Sequence, residues 1–358
     1  MTPAHNAPRL LVEPFAGMAA LSFGCMGAKP PISWMGSKAG YTRVLMELLG
    51  LSRHNPPAAY VWGDVGPNVA VLATLAGARG NAQDVTNYIL VHKLSVNGLA
   101  QAYKADAGGY NVTTGERWEW NWKRNDIVLP CPPLGGSAEV AAIIRGWKDE
   151  EPRALWTRLK AAGWPSLMPV EGGRWLGPQP VEEVAGFLQV TAWTHSGGMF
   201  CSPEPRWTDG AKAGLYPPSR GLTTAGLAAR ITDTASPRVA CYQGTATRLV
   251  EQLPERLDNV IAYLDPPYSG TTGYKFGDCP REEVLRLALD LHGRGATVAI
   301  SEAVRLDREL GEGWTAVQID GERRGQKRTF SVQQSEWVTM NRRPARVPGQ
   351  QIGLWGAR

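Results

Sequence analysis

The chain has 358 residues, of which 43% are hydrophobic and 20% charged, and a formal net charge of +5. That length and composition exclude a disordered or fibrous chain and allow a sizeable core in one domain or two. The mildly basic balance suits an anionic partner such as nucleic acid without requiring one.

The first predicted element is a short apolar strand, Leu10-Leu11-Val12, ending at Glu13. Pro14-Phe15-Ala16-Gly17 then turns toward a helix through Ala19, Ala20, Leu21 and Phe23. "ISWMGSKAGY" precedes an amphipathic helix, "TRVLMELLGL", stopped by Gly50. Ala59 to Trp62 read as a strand ending at Gly63-Asp64, followed by a helix through Val69, Val71, Leu72 and Leu75 and a further helix over about 85–99.

From about Gly108 to Leu222 the alternation lapses and Gly, Pro and Trp rise. "YNVTTGERWEWNWKRND" predicts a hairpin with Trp118, Trp120 and Trp122 at period two, a core face rather than a stacking platform. Helices follow near Ala138–Trp147, Pro152–Ala162 and Val181–Thr194, and then a long loop. After Pro237 the pattern resumes: "RVACYQGTATRLVEQL" as strand then helix, an apolar strand Val260–Leu264, a helix from Arg281 to Leu291, and the strand "ATVAISEA". "WTAVQIDGERRGQKRTFSVQQSEWVTMN" reads as an antiparallel pair with a basic tip.

The five cysteines are widely spaced and include no Cys-x-x-Cys pair. No zinc site, disulfide framework or other metal centre is expected, and the thiols fit a reducing cytoplasm. The N-terminal stretch lacks signal-peptide character. No apolar run reaches the roughly 18 residues of a membrane span, so no membrane partner is expected.

"AYLDPPYSGTTGY" carries the chemistry. Pro266 and Pro267 cannot continue a ladder, so the strand stops and leaves the Asp265 carboxylate at its C-terminal edge, where open α/β sheets bind ligands. Asp-Pro alone is ordinary turn chemistry. The full Asp-Pro-Pro-Tyr string is expected by chance in roughly one chain of this length in several hundred, which favours a function. Three further features fall on the same edge. Gly17 allows close approach to the backbone, Asp64 ends the next strand, and Trp34, Gly36 and Lys38 lie between them.

Together these residues resemble the Dam-type DNA adenine-N6 methyltransferases, in a phage-like variant. Glu13-Pro14-Phe15-x-Gly17, Trp34-x-Gly36-Ser37-Lys38, Asp64 and Asp265-Pro266-Pro267-Tyr268 carry the resemblance. "VNGLAQAYKADAGGYNVTTG" and "SEWVTMN" are similar to further family segments, so the likeness covers about residues 9–112 and 238–341. The family usually places the aromatic-Gly-Lys segment before the Glu-Pro-Phe-x-Gly turn; here it follows, which lengthens the spacing from Gly17 to Asp64 beyond the roughly 20 residues usual in nucleotide folds. Ala19 stands where relatives often carry a second glycine, and Thr245 where they often carry an acid near the cofactor's adenine.

The resemblance implies an α/β fold: a Rossmann-like S-adenosylmethionine-dependent methyltransferase sheet with an antiparallel C-terminal strand pair and an inserted α+β target-recognition region. The expected organisation is catalytic domain over 1–107 and 237–345, insert over 108–236, and a tail over 346–358. S-adenosyl-L-methionine is the implied cofactor. It would be held by Glu13, Pro14, Phe15, Gly17, Trp34, Gly36, Lys38, Asp64, Thr245 and Asp265. Asp265, Pro266, Pro267 and Tyr268 are the implied catalytic group. The implied partner is double-stranded DNA, with Lys123, Arg124, Arg323, Arg324, Lys327 and Arg328 as phosphate contacts, and the enzyme is a monomer or homodimer in a bacterial or phage-infected cytoplasm. Two readings compete. One is an N4-cytosine or RNA methyltransferase with the same site, against which Asp265 tilts modestly; the other is a DNA-binding relative without catalysis.

Overall fold

A computed structural model of the chain describes residues 10–32, 38–54, 56–57, 59–78, 80, 109–110, 117–121, 126–128, 136–193, 224–232, 239–268, 279–319 and 335–345. In chain order these form β1 (Leu10–Glu13), α1 (Ala20–Cys25), α2 (Thr42–Leu49), β2 (Ala59–Asp64), α3 (Asn68–Ala76), β3 (Gly109–Tyr110), β4 (Arg117–Asn121) and β5 (Asp126–Val128). There follow α4 (Ser137–Gly146), α5 (Pro152–Ala162), β6 (Arg174–Leu176), α6 (Val181–Trp193), α7 (Thr224–Thr232), β7 (Val239–Gln243), α8 (Ala246–Gln252) and β8 (Val260–Leu264). The last elements are α9 (Arg281–Gly293), β9 (Thr297–Glu302), α10 (Asp307–Leu310), β10 (Thr315–Gln318) and β11 (Trp337–Met340).

Eight strands form one mixed sheet in the order β10-β11-β9-β8-β1-β2-β7-β6. The central five, β9 to β7, are parallel, while β11 and β6 run against their neighbours at the two flanks. Side chains alternate across each strand, so each parallel strand serves two cores. Leu11, Tyr60, Trp62, Ile261 and Tyr263 face a layer that contains α1 to α7. Leu10, Val12, Val61, Ala262 and Leu264 face the opposite layer of α8, α9 and α10.

The helices form where the apolar period requires them. In α9, Val284, Leu287, Ala288 and Leu291 make one buried stripe, and Glu282 and Glu283 oppose the dipole in the first turn. In α2, Val44, Leu45, Leu48 and Leu49 are buried, and Gly50 closes the helix at φ +69. α3 is buried along its whole length because helices cover it on the side away from the sheet. Gly24 lets α1 lie against α2: a Cβ there would come within 1.9 Å of the Thr42 methyl.

The region expected as an insert resolves into two parts. β3, β4 and β5 form a separate antiparallel sheet that extends the expected hairpin by a third strand. From Ser137 to Thr232 the buried apolar side chains among the described residues join the main core. Val140, Ile144, Leu155, Phe187 and Leu227 belong to the same cluster as Leu11 and Trp62, and β6 joins the main sheet. The helix expected over 85–99, Trp122 and the long loop before α7 lie outside the described residues. No helix among the described residues is long and apolar enough to cross a membrane.

Candidate functional site

The chain moves from β1 to β2 and on to the flank formed by β6 and β7, then crosses back to β8 on the other side of β1. The strand order therefore reverses between β1 and β8, and such a switch point opens a crevice at the carboxyl ends of the strands. Glu13 and Asp265 both stand at that crevice.

On the β1 side, the Pro14–Ala19 turn is held against β2. Ala16 N–H donates to the Gly63 carbonyl at 2.8 Å, and Gly17 N–H donates to Asp64 Oδ2 at 2.8 Å. Asp64 Oδ1 accepts from Gly66 N–H at 2.8 Å, and the Asn68 amide donates to the Gly17 carbonyl. The turn takes positive φ at Gly17 (+53) and again at Ala19 (+50), where an alanine carries the left-handed conformation that favours glycine. Burial pushes the Asp64 carboxyl up, and the backbone donors from Gly66 and Gly17 pull it part of the way back. Pro14 is buried and Phe15 half-buried beside this turn.

Glu13 lies beneath the turn and is 3% exposed. Its carboxylate accepts from the Ser22 hydroxyl and from Ser22 N–H at 3.3 Å, and Trp62 Nε1–H donates to the same hydroxyl at 2.9 Å. Desolvation raises the Glu13 carboxyl to about 7 against the pull of these bonds. The structure thus brings Glu13 to the site but commits its carboxylate to the start of α1.

On the β8 side, Asp265 follows the buried strand, and Tyr263 is fixed by a 2.7 Å hydrogen bond between its hydroxyl and Ser301 Oγ. Lys38 starts a single 3-10 turn, Lys38–Gly40, packed on α1 and α2. Its Nζ lies 2.7 Å from Asp265 Oδ1 and 4.5 Å above the centre of the Tyr268 ring. The segment that follows the glycine turn in sequence is therefore returned to the site at Lys38. Burial raises the Asp265 carboxyl to about 6; Lys38 opposes this and the charge of Glu336 adds to it.

Glu336 and Glu302 are the residues that sequence reasoning missed. Glu336 is fully buried, accepts a hydrogen bond from the Tyr268 hydroxyl, and lies 3.7 Å from Lys38 Nζ. It precedes β11, and because β11 is antiparallel its first residues lie beside the last residues of β9: Trp337 pairs with Glu302. A search for acids at strand C-termini passes over an acid delivered by the N-terminus of a reversed strand. Glu302 ends β9, accepts from Ala303 N–H at 2.7 Å, and has its carboxyl raised mainly by burial.

Thr245 caps α8, its hydroxyl accepting from Arg248 N–H at 3.2 Å. Beside it, Gln243 is buried. Its amide donates to the carbonyls of Leu167 (2.7 Å) and Gly66 (3.2 Å) and accepts from Arg174 (3.3 Å), which joins the 165–174 segment to the Asp64 loop. Trp34, Gly36, Lys123, Arg124, Arg323, Arg324, Lys327 and Arg328 lie outside the described residues. Among the described residues no cluster of three His, Cys, Asp or Glu side chains is arranged to hold a metal ion.

In comparison with known proteins, the chain matches no protein-family model, and no curated protein matches it significantly.

Proposed function

We propose that the protein transfers a methyl group from S-adenosyl-L-methionine to the N6 amino group of an adenine flipped out of double-stranded DNA. The observation that carries this reading is the placement of Asp265-Pro266-Pro267-Tyr268 across the switch point from the Gly17 turn, with Lys38 on the Asp265 carboxylate. The resemblance to Dam-type enzymes supplies the substrate and the cofactor. The strand order adds support: β7-β2-β1-β8-β9 is compatible with the parallel part of a doubly wound nucleotide fold, and β11 runs antiparallel beside it.

The residues present fit the cofactor. A carboxylate has about four acceptor positions, and Asp64 gives one on each oxygen to a backbone N–H, which leaves acceptors for a ribose diol. Asn68 Oδ1 is buried beside Gly66 without a hydrogen-bond partner and adds another acceptor. The Thr245 hydroxyl accepts from the backbone and keeps its own proton to donate to an adenine ring nitrogen. When bound, S-adenosylmethionine supplies an activated methyl group.

An exocyclic amino nitrogen is a weak nucleophile because its lone pair is delocalised into the ring. Asp265 and the Pro266 carbonyl offer two acceptors for its two hydrogens, which biases the nitrogen toward a pyramidal form. The Tyr268 ring offers a stacking surface for the base. Asp265, with its carboxyl raised to about 6, is ionised at neutral pH and accepts strongly, and it takes up the proton released after transfer. Most of the acceleration comes from alignment of the reacting groups. A base within a duplex cannot reach such a site, so it is extruded at a cost of a few kcal/mol.

The test is mass spectrometry of nucleosides from DNA and RNA incubated with the protein and S-adenosylmethionine. N6-methyladenine from duplex DNA supports the reading. N4-methylcytosine or a modified RNA nucleoside assigns the same site another substrate, and no modified nucleoside at all favours a binding protein without catalysis.

A further inference from the structure

We propose that Glu336 is a positioning residue that receives the Lys38 ammonium when the substrate's amino group takes Asp265, a role that rests on the methyltransferase reading above. The ammonium sits between two carboxylates and over a ring: 2.7 Å from Asp265 Oδ1, 3.7 Å from Glu336 Oε1 and 4.5 Å from the Tyr268 centroid. Lys38 and Glu336 are both buried, at 7% and 0% exposure.

Two demands meet on the Asp265 carboxylate. Lys38 holds its Oδ1 in this structure, and the incoming amino group brings a second donor to the same group. A lysine displaced inside a protein keeps its charge only with another partner, since an isolated buried ammonium is costly. Glu336 is that partner. A shift of about 1 Å brings a 3.7 Å contact to the 2.7–2.9 Å of a charge-assisted hydrogen bond.

Holding the Tyr268 hydroxyl requires only an acceptor, and a neutral amide would serve. A buried carboxylate is unfavourable unless a cation shares it, and here one cation is shared with the residue expected to meet the substrate. The oxygen that accepts from Tyr268 is also the one nearest Lys38, so the ring and the ammonium are placed by the same atom. The other ionisable groups that act on Asp265 or its neighbours do not compete for this role. Glu13 is bonded to Ser22, Glu302 to the backbone of Ala303, and Tyr263 to Ser301.

The experiment compares wild type with Glu336→Gln, which preserves size and an acceptor for Tyr268. The first readout is a carbon NMR titration of the Asp265 carboxyl in aspartate-labelled protein, assigned with Asp265→Asn. It needs no turnover. The midpoint is expected to fall in Glu336→Gln, because a repelling charge is gone and Lys38 is left wholly to Asp265. The second readout is methyl transfer: kcat is expected to drop about tenfold or more while KM for the cofactor stays within about threefold, the signature of a group that acts during turnover rather than in binding. Glu336→Asp keeps the charge but shortens the reach; it should hold the Asp265 midpoint near wild type while kcat still falls, and it decides the matter if the Gln variant does not fold. An unmoved midpoint in Glu336→Gln, or unchanged kcat in either variant, overturns the proposal. Wild-type protein that methylates nothing overturns the functional reading instead, and the titration then reports only the charge coupling.

Discussion

Lys38 Nζ lies 2.7 Å from Asp265 Oδ1, a contact between the turn before α2 and the end of β8 that closes the site across the sheet's switch point. Lys38 favours the ionised form of Asp265 against burial. Replacing it by methionine, which keeps the bulk and removes the charge, should move the Asp265 midpoint above about 6. On the proposed mechanism the ionised carboxylate is the active form. The rising limb of kcat/KM against pH, near 6 in wild type, should then shift to higher pH in Lys38→Met, with the largest loss of rate on the acid side. A limb that stays in place would separate Lys38 from the chemistry.

Asp265→Ala should abolish methyl transfer and leave cofactor affinity within about tenfold, or roughly 1.4 kcal/mol. Its carboxylate is at the end of β8 and paired with Lys38, whereas the acceptors suited to the ribose belong to the Asp64 side of the crevice. Calorimetry with S-adenosylmethionine, paired with a transfer assay, checks both halves. Retained turnover would remove Asp265 from the mechanism.

Asp64→Ala should act in the opposite way. It removes a carboxylate that clamps Gly17 and Gly66 at 2.8 Å each. Loss of a charged hydrogen-bond acceptor should weaken cofactor binding about tenfold to a hundredfold. Turnover at saturating cofactor should change less, because a ribose contact is made equally in ground and transition states. A fall in kcat with unchanged KM would place Asp64 elsewhere.

Glu13 makes a prediction about stability that is independent of function. Its carboxyl is raised from 4.5 to about 7 by burial, so the folded protein binds that proton more tightly than the unfolded chain. The stability this contributes is fully present below about 4.5 and is lost as pH rises through about 7. The difference is on the order of 3 kcal/mol. In Glu13→Gln that decline should be missing: the variant should gain on wild type between pH 4.5 and 8 in denaturant melts. Parallel pH profiles for the two proteins would mean that Glu13 is not the group responsible.

Much of this architecture is legible in the sequence because period and punctuation agree. The fully buried runs 10–13 and 260–264 are bounded by Glu-Pro and Asp-Pro-Pro, so both strand ends and both edge carboxylates can be placed. The helical layer was legible as elements but not as packing. Nothing local in α4 or α6 says that Val140 and Phe187 share a core with Leu11. β6, three residues long, and α7, in a stretch rich in Gly and Thr, carry too little period to stand out. Glu336 was hidden for a topological reason: an acid before a strand reaches this edge only if the strand is reversed, and that depends on β10 and β11 pairing antiparallel beside β9.

The same reversal bears on how nucleic acid would be met. β10 ends and β11 begins at the edge that holds Tyr268 and Glu336, and Ile319 N–H donates to the Glu336 carbonyl at 2.8 Å. The connection between these two residues contains Arg323, Arg324, Lys327 and Arg328, so its ends are tethered beside the proposed base-binding ring. On the proposed function, a connection whose ends lie there and whose sequence is rich in Arg and Lys suits phosphates that flank an extruded base. Each phosphate neutralised on duplex DNA adds about 0.9 to the slope of log affinity against log salt. Replacing Arg323 and Arg324 together by alanine should therefore reduce that slope by about 2 and weaken unrelated duplexes to a similar degree, since phosphate contacts position without reading sequence. Fluorescence anisotropy with two unrelated duplexes over a salt series measures both quantities. A slope equal to wild type would move the nucleic-acid surface away from the β10–β11 connection, and a loss confined to one duplex would give these arginines a part in recognition instead.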